Sequence, residues 1–295
     1  MSKEDFKKRV SDFVDQDDYE NALKTTQEAQ EIFPNDIDIL ELYGVMLVEN
    51  NEHEKALNVF TQNMNRSDAS STTFLFLGQL VEGMDSLNCY QKAYELLNPQ
   101  DLNVKEKKVS ILCAMAELYL SDLCEEENAE AACESYVNEA ESIDPNNVEI
   151  LVTKCSLRIC QLRNDEAKEA IQKAYSKVDA NKPETWPTYE IRTNMAKRLM
   201  ETEFFTESLT ILAMNQLEND EDVEVWFLFG WVYYLKKDYI ESYDCLEQTL
   251  VLIEKLQIED PAMLSQINEM KSEIETMGVL EENDNEEVEE MDIAE

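Results

Sequence analysis

The sequence predicts an all-α protein built from consecutive helix pairs. Residues that interrupt helices are scarce, with 5 Gly and 6 Pro among 295 residues. A frame of apolar and small residues also recurs with a period of about 34 residues. A repeating frame with few turn residues favours one elongated domain over two globular ones, and it disfavours a sheet protein of this size.

The clearest repeat is the segment 223–250, which reads VEVWFLFGWVYYLKKDYIESYDCLEQTL. Trp226, Phe229 and Tyr233 are spaced at i, i+3 and i+7, which places them on one face of a helix. Gly230 would let a neighbouring helix approach closely. The pattern resembles the tetratricopeptide signature, a helix–turn–helix unit. Its second-helix positions are Ser242 and Leu246.

The same frame recurs along the chain and gives about seven repeats between residues 3 and 250. Gly78 and Ala93 lie closer together than the frame expects, so we predict a shortened third repeat. Ala116 and Ala140 lie further apart than it expects, so the fourth repeat should carry an insertion.

We predict a tetratricopeptide-repeat domain with a capping helix over residues 3–278 and a disordered acidic tail over 279–295. The helix pairs should form a right-handed superhelical solenoid. Residues 260–277 have Met and Ile at i+3 and i+4 spacing, which gives the one apolar face that a terminal cap needs. The tail is acidic and lacks aromatic residues, so it has little to bury.

The charge of the chain limits its classes of partner. The sequence holds 65 acidic and 25 basic residues, a formal net charge of −40. Such a charge disfavours direct binding to nucleic acid and to anionic membranes. Solubility alone can account for an acidic surface. The functional alternative is a partner rich in Lys and Arg.

The sequence gives no indication of catalysis, so we predict no catalytic residue, no metal site and no cofactor. His53 is the one histidine, and it lies at a predicted turn. Gly78 and Gly83 have a phosphate-loop spacing, but the Lys and Ser/Thr of that motif do not follow them. The seven cysteines form no zinc-site spacing. Unpaired cysteines and an N-terminus without an apolar stretch predict a reducing compartment, cytoplasmic and nuclear.

The candidate partner site is the concave face, because the first helix of each repeat lines that face in such solenoids. Acids cluster at these positions, and aromatic residues of the seventh repeat could bind Lys or Arg through cation–π contacts. The alternative is that the acids are ordinary solvated helix faces. The predicted partner-binding residues are Asp38, Glu41, Glu49, Glu82, Glu117, Glu149, Glu190, Glu201, Glu224, Phe227, Trp231 and Tyr234.

Three segments carry a more specific resemblance: TFLFLGQLVEGMDSLNCYQKAYELL (73–97), TWPTYEIRTNMAKRLMETEFFTESL (185–209) and DVEVWFLFGWVYYLKKDY (222–239). They resemble the fungal family of dedicated assembly chaperones for the fourth large-subunit ribosomal protein. The resemblance implies a soluble repeat protein that captures the new ribosomal protein and shields its basic internal loop on the concave face. It also implies escort into the nucleus for pre-60S assembly. We expect a monomer with this basic protein as partner.

Other functions remain open at this stage. A histone chaperone, or another scaffold for a basic protein, would have the same charge. A heat-shock co-chaperone would need Lys, Asn and Arg on three successive repeats to grip a C-terminal carboxylate, and only Lys7 matches that pattern. An enzyme would need a catalytic motif, and none is recognised.

Overall fold

The computed structural model describes residues 1–100 and 103–278 of the chain. Within these ranges it has fifteen α-helices, one 3-10 helix (Pro183–Thr185) and no β-strand. The predicted all-α fold is confirmed. The α-helices are α1 (Lys3–Val14), α2 (Tyr19–Ile32), α3 (Ile37–Glu49), α4 (His53–Asn63), α5 (Ser71–Leu80), α6 (Gly83–Glu95), α7 (Val104–Leu118), α8 (Ala129–Ile143), α9 (Val148–Cys160), α10 (Asn164–Tyr175), α11 (Tyr189–Glu201), α12 (Phe205–Glu218), α13 (Val223–Lys236), α14 (Tyr239–Leu256) and α15 (Pro261–Thr276).

Consecutive helices pack as seven antiparallel pairs followed by α15, as predicted for the described part of the chain. The chain divides into two compact units, Met1–Pro145 with α1 to α8, and the residues from Asn146 with α9 to α15. The predicted acidic tail, 279–295, lies outside the described residues, and the predicted domain boundaries stay predictions.

The two helices of a pair approach closely where the first helix carries glycine. A Cβ atom on Gly230 would lie 2.7 Å from Leu246 Cδ2, and one on Gly44 would lie 2.6 Å from Phe60 Cζ. Leu246 and Phe60 are fully buried. The glycines therefore make room for the large side chains of the second helix, which confirms the role predicted for Gly230.

A serine of the second helix reinforces this crossing in two pairs of the second unit. Ser242 Oγ donates to Gly230 O at 2.8 Å, and Ser208 Oγ donates to Ala196 O at 2.8 Å. Both serines are fully buried. Each buried hydroxyl therefore has a hydrogen-bond partner inside its own pair, where an unpaired hydroxyl would destabilise the fold.

The third pair is shortened, as the sequence predicts. Eight residues separate Gly78 from Ser86, whereas twelve separate Gly230 from Ser242. Helix α6 begins at Gly83, whose φ is +58°. Ser86 Oγ still donates to Gly78 O, at 2.5 Å, so the hydrogen bond of the crossing is retained in the shorter pair. The predicted insertion in the fourth pair is the ten-residue connection 119–128 between α7 and α8.

Five of the seven described pairs share one turn geometry. The last residue but one before the second helix has a positive φ, and the next residue donates its N–H to a carbonyl five positions earlier. This is the hydrogen bond of a Schellman motif, and it satisfies a carbonyl that the end of the first helix leaves free. The residues with positive φ are Asp17, Asn51, Leu162, Glu203 and Lys237.

The terminal helix α15 has the amphipathic character of a cap. Ile267 and Ile274 are fully buried. Met263 and Met270 are partly buried, and both pack against a cluster of buried residues that α13 and α14 contribute. Met277, the last residue of the predicted stripe, is 49% exposed. The apolar stripe is therefore core packing along most of its length.

Gly230→Ala should destabilise the protein, although alanine is the better helix former. The added Cβ would overlap Leu246, and overpacking costs about 1–3 kcal/mol against a propensity gain of about 1 kcal/mol. We expect a net loss of up to about 2 kcal/mol in the free energy of unfolding, measured by urea denaturation.

A double-mutant cycle controls this prediction. Leu246→Ala alone should also destabilise, because it opens a cavity in the core. In the Leu246→Ala background, the cost of Gly230→Ala should disappear, since the overlapping atoms are gone. Additive losses would contradict the proposed overlap.

Candidate functional site

Among the predicted partner-binding residues of the first unit, Asp38 lies on α3. Its Oδ2 is 2.7 Å from Lys7 Nζ and 3.0 Å from Lys3 Nζ, and both lysines lie on α1. Hydrogen bonds from Lys7 and Lys3 hold the pKa of Asp38 below its ordinary value. Lys3 also pairs with Asp36 at 3.0 Å. The charge of Asp38 is therefore balanced within the chain.

Glu41 is buried, with 8% of its surface exposed. Its carboxylate accepts hydrogen bonds from the backbone N of Ser70 at 3.1 Å, from Ser70 Oγ at 2.8 Å and from Thr73 Oγ1 at 2.7 Å. These bonds connect α3 to the beginning of α5. Glu41 thus holds two neighbouring pairs together instead of standing free on the surface.

The other predicted acids of the first unit differ in exposure. Glu49, at the end of α3, is exposed. Glu82 is exposed and precedes α6 without bonding to its first turn through the side chain. Glu117, on α7, is half-buried. The acids predicted here therefore do not form one uniform surface, and their contact with a partner stays a prediction.

In the second unit, two of the predicted acids are paired with cations. Lys197 Nζ lies 2.6 Å from Glu224 Oε1, and Arg198 Nη1 lies 2.6 Å from Glu201 Oε2. Both are surface pairs, which hold their partners weakly in water. A cationic ligand could therefore compete for these carboxylates. The remaining predicted acids are Glu149, half-buried in the first turn of α9, and Glu190, exposed in the first turn of α11.

The predicted aromatic platform on α13 is divided between core and surface. Phe227 is only 6% exposed, and its ring meets that of Trp231 edge-on at 5.5 Å between centroids. Trp231 and Tyr234 are half-buried and line a pocket of about 240 Å³. Phe227 therefore belongs to the core and packs against Trp231, and the surface for a ligand consists of Trp231 and Tyr234.

Helix α15 supplies the opposite wall of this pocket. Its contribution includes two carboxylates, Glu269 and Glu273, beside Met270. Tyr234 donates its hydroxyl hydrogen bond to Glu273, and that bond raises the pKa of Tyr234 to about 12. We call the space lined by Trp231, Tyr234, Gln266, Glu269, Met270 and Glu273 the aromatic–acidic pocket.

The chemistry of the aromatic–acidic pocket suits a Lys or Arg side chain. An indole face attracts a cation through its quadrupole, and the two carboxylates offer charge-assisted hydrogen bonds. The α15 acids are not among the residues predicted from the sequence, where that helix is expected only to cap the repeats. Their signal was present in the sequence: Gln266, Glu269 and Glu273 follow i, i+3 and i+7 and share one helix face.

Features of other classes of site are absent from the described residues. In residues 1–100 and 103–278, no group of three or more His, Cys, Asp or Glu side chains could hold a metal ion. In the same ranges, no helix has the length and apolar character that crossing a membrane requires. His53 is exposed at the first position of α4, after the turn within the second pair, as the sequence predicts.

Comparison with known proteins supports the resemblance noted in the sequence. The chain is 32% identical over 217 residues to a Schizosaccharomyces pombe protein named probable assembly chaperone of rpl4, covering 68% of this chain and 65% of that protein. It is 30% identical over 228 residues to an Emericella nidulans protein of the same name, covering 71% of this chain and 59% of that protein. No family model matches the chain.

Solved structures give the same result. The structure of an assembly chaperone of RpL4, Acl4 (residues 1–338), is 25% identical with a TM-score of 0.63, covering 81% of this chain and 98% of that one. A tetratricopeptide repeat protein from Parabacteroides merdae is 14% identical with a TM-score of 0.58, covering 92% and 98%, and shares the fold. The resemblance to the rpl4 assembly chaperones is therefore confirmed, although the chain spans less than two thirds of the curated relatives' length.

Asp38→Asn should lower the melting temperature at neutral pH by no more than a few degrees, because its ion pairs are partly exposed. The folded-state pKa of Asp38 is lowered, so the ion pairs stabilise the fold above the ordinary aspartate pKa of about 3.9. That contribution is lost as the pH falls through the folded-state pKa. The difference in melting temperature between wild type and variant should therefore vanish on acidification.

Thermal denaturation followed by circular dichroism, from about pH 7 to about pH 2, measures this difference. Asp12→Asn, on the exposed face of α1, removes the same charge and serves as the control. The control should show a smaller difference at neutral pH. A difference for Asp38→Asn that persists unchanged at the acid end would contradict the ion-pair assignment.

Proposed function

We propose that this chain, a relative of the rpl4 assembly chaperones, is a dedicated chaperone that catalyses nothing and binds a newly made large-subunit ribosomal protein. It captures a basic segment of that protein, its internal loop, on the acidic first-helix faces of the repeats. It then escorts the protein from the cytoplasm to pre-60S assembly in the nucleus. The chaperone acts as a monomer, without binding nucleic acid or membranes directly. The names of the curated relatives and of the Acl4 structure support the choice of partner.

The observation that carries this proposal is the aromatic–acidic pocket. Trp231 offers an aromatic face, and Glu269 and Glu273 stand at the opposite wall. The pocket volume of about 240 Å³ suits one long side chain better than a folded surface. A basic side chain gains both the cation–π contact and the charge-assisted hydrogen bonds, so the pocket favours Lys and Arg over uncharged residues.

The overall charge supports the same class of partner. Acidic residues outnumber basic residues by 40 in this chain. Concentrated like charge repels itself and destabilises the compact state. A basic ligand relieves that repulsion on binding, and the long-range field speeds its association.

Histones or other basic proteins remain the second class of partner, because charge alone does not distinguish them from a ribosomal protein. The relatives' names favour rpl4. Competition between purified rpl4 and a core histone for the chain would separate the two. Displacement of rpl4 by an equal concentration of histone would overturn the assignment of a dedicated partner.

Glu269→Gln combined with Glu273→Gln should weaken binding to rpl4 about tenfold and make it less sensitive to salt, because two charge-assisted contacts are lost. Isothermal titration calorimetry at several salt concentrations measures both effects. Glu241→Gln with Glu254→Gln is the matched control. Both acids are exposed on α14, and their substitution removes the same charge outside the aromatic–acidic pocket.

Trp231→Ala tests the aromatic wall separately. Its loss should weaken binding by about 2 kcal/mol, or about thirtyfold, while the salt dependence stays close to that of wild type. Circular dichroism must show that helix content is retained, since Trp231 also packs on Phe227. If the Glu241→Gln/Glu254→Gln variant weakens binding as much as the Glu269→Gln/Glu273→Gln variant, the aromatic–acidic pocket is not the site and only the overall charge attracts rpl4.

A further inference from the structure

The first unit contains a second cleft, and its chemistry differs from that of the aromatic–acidic pocket. It has a volume of about 550 Å³ and lies between α1, α3 and α5. Val10 and Met46 form its buried floor, with 2% and 4% of their surfaces exposed. Val14, Leu42 and Val45 form its half-buried walls. We call this space the aliphatic cleft.

The two acids that line the aliphatic cleft are both occupied. Asp38 is held by Lys7 and Lys3, at 2.7 Å and 3.0 Å. Glu41 is buried, and Ser70 and Thr73 donate hydrogen bonds to its carboxylate. Both acids are predicted from the sequence as contacts for a basic partner. In the structure they serve the fold, and the cleft lining presents mainly aliphatic carbon to solvent.

We propose that the aliphatic cleft is a docking subsite for an uncharged, aliphatic stretch of the partner. This proposal rests on the proposed function, because it takes the partner to be the same ribosomal protein. It adds that this protein is bound in two chemically distinct ways. The aromatic–acidic pocket takes cationic side chains, and the aliphatic cleft takes Leu, Ile or Val side chains.

Charge complementarity selects this occupant. A cationic segment would meet the positive charge of Lys7, which lines the cleft. Asp38 is shared by Lys7 and Lys3, so reaching it means displacing two cations, whereas Glu224 is paired with one. An anionic segment would meet a chain of net charge −40. An aliphatic segment meets neither obstacle. It covers the half-buried side chains of Leu42 and Val45 and so removes their apolar surface from water.

The volume of the aliphatic cleft is consistent with more than one side chain. Clefts that bind drug-sized ligands have volumes of about 300–1,000 Å³, and this cleft lies within that range. Its floor is fixed, because Val10 and Met46 belong to the same buried cluster as Leu47 and Phe60. A preformed floor lowers the entropy cost of docking.

The test uses the full chain and purified rpl4, with calorimetry at about 0.15 M and about 1 M salt, where the Debye lengths are about 8 Å and 3 Å. Val45→Thr keeps the size and charge of the side chain and should weaken binding about fivefold at both salt concentrations. Val45→Asp should weaken it more than tenfold. The ratio of the two affinities for Val45→Thr, which leaves the charge unchanged, should match that of wild type.

Leu217→Asp is the matched control, because Leu217 is 82% exposed on α12 and gains the same charge. It should bind like wild type. Circular dichroism and melting temperature identify a variant that fails to fold. If Val45→Asp fails to fold, Val45→Thr still tests the proposal. Light scattering of the free chain identifies the alternative occupant, a second copy.

The outcomes separate this inference from the proposed function. If rpl4 binds wild type and both Val45 variants equally, the aliphatic cleft is not a subsite, while the proposed function stands. If rpl4 does not bind wild type even at low salt, both proposals fall. A wild-type dimer that Val45→Thr dissociates would overturn the inference in favour of contact between two copies.

Discussion

The close crossing within each helix pair is the constraint on which the rest of the structure depends. Where Gly230 faces Leu246, the absence of a Cβ lets the second helix insert a large side chain directly against the first. Ser242 donates its hydroxyl hydrogen bond to the carbonyl oxygen of the same glycine. This contact sets the separation of the two helices, and so it also decides which residues of the first helix remain at the surface for a partner.

Sequence periodicity could predict the helix pairs because their main contacts are local. Gly230 and Ser242 are twelve residues apart, and the same spacing relates Ala196 to Ser208. The conformation of the turns was harder to predict from the sequence. In the five shared turns the residues with positive φ are Asp, Asn, Leu, Glu and Lys, so no glycine marks these positions. In these turns the hydrogen bond of the Schellman motif sets the conformation, not the preference of a single residue.

The candidate site was predicted less well, because exposure depends on the next pair along the chain. Glu41 falls on a first-helix position, but the beginning of α5 brings Ser70 and Thr73 to its carboxylate and buries it. Phe227 is covered in the same way, because it lies in a buried cluster with Ile267 of α15, the helix that follows its pair. A repeat frame assigns faces within a helix, and it contains no information about contacts between one pair and the next.

The net charge of −40 describes the whole chain, but local chemistry decides what each surface can bind. Where α1 supplies Lys3 and Lys7, the nearby aspartates are neutralised and an aliphatic lining remains. Where α15 supplies Glu269 and Glu273, the carboxylates face Trp231 across a pocket. The proposed role as a chaperone of one client requires such differences, because uniform acidity would bind any basic chain and could not discriminate among them.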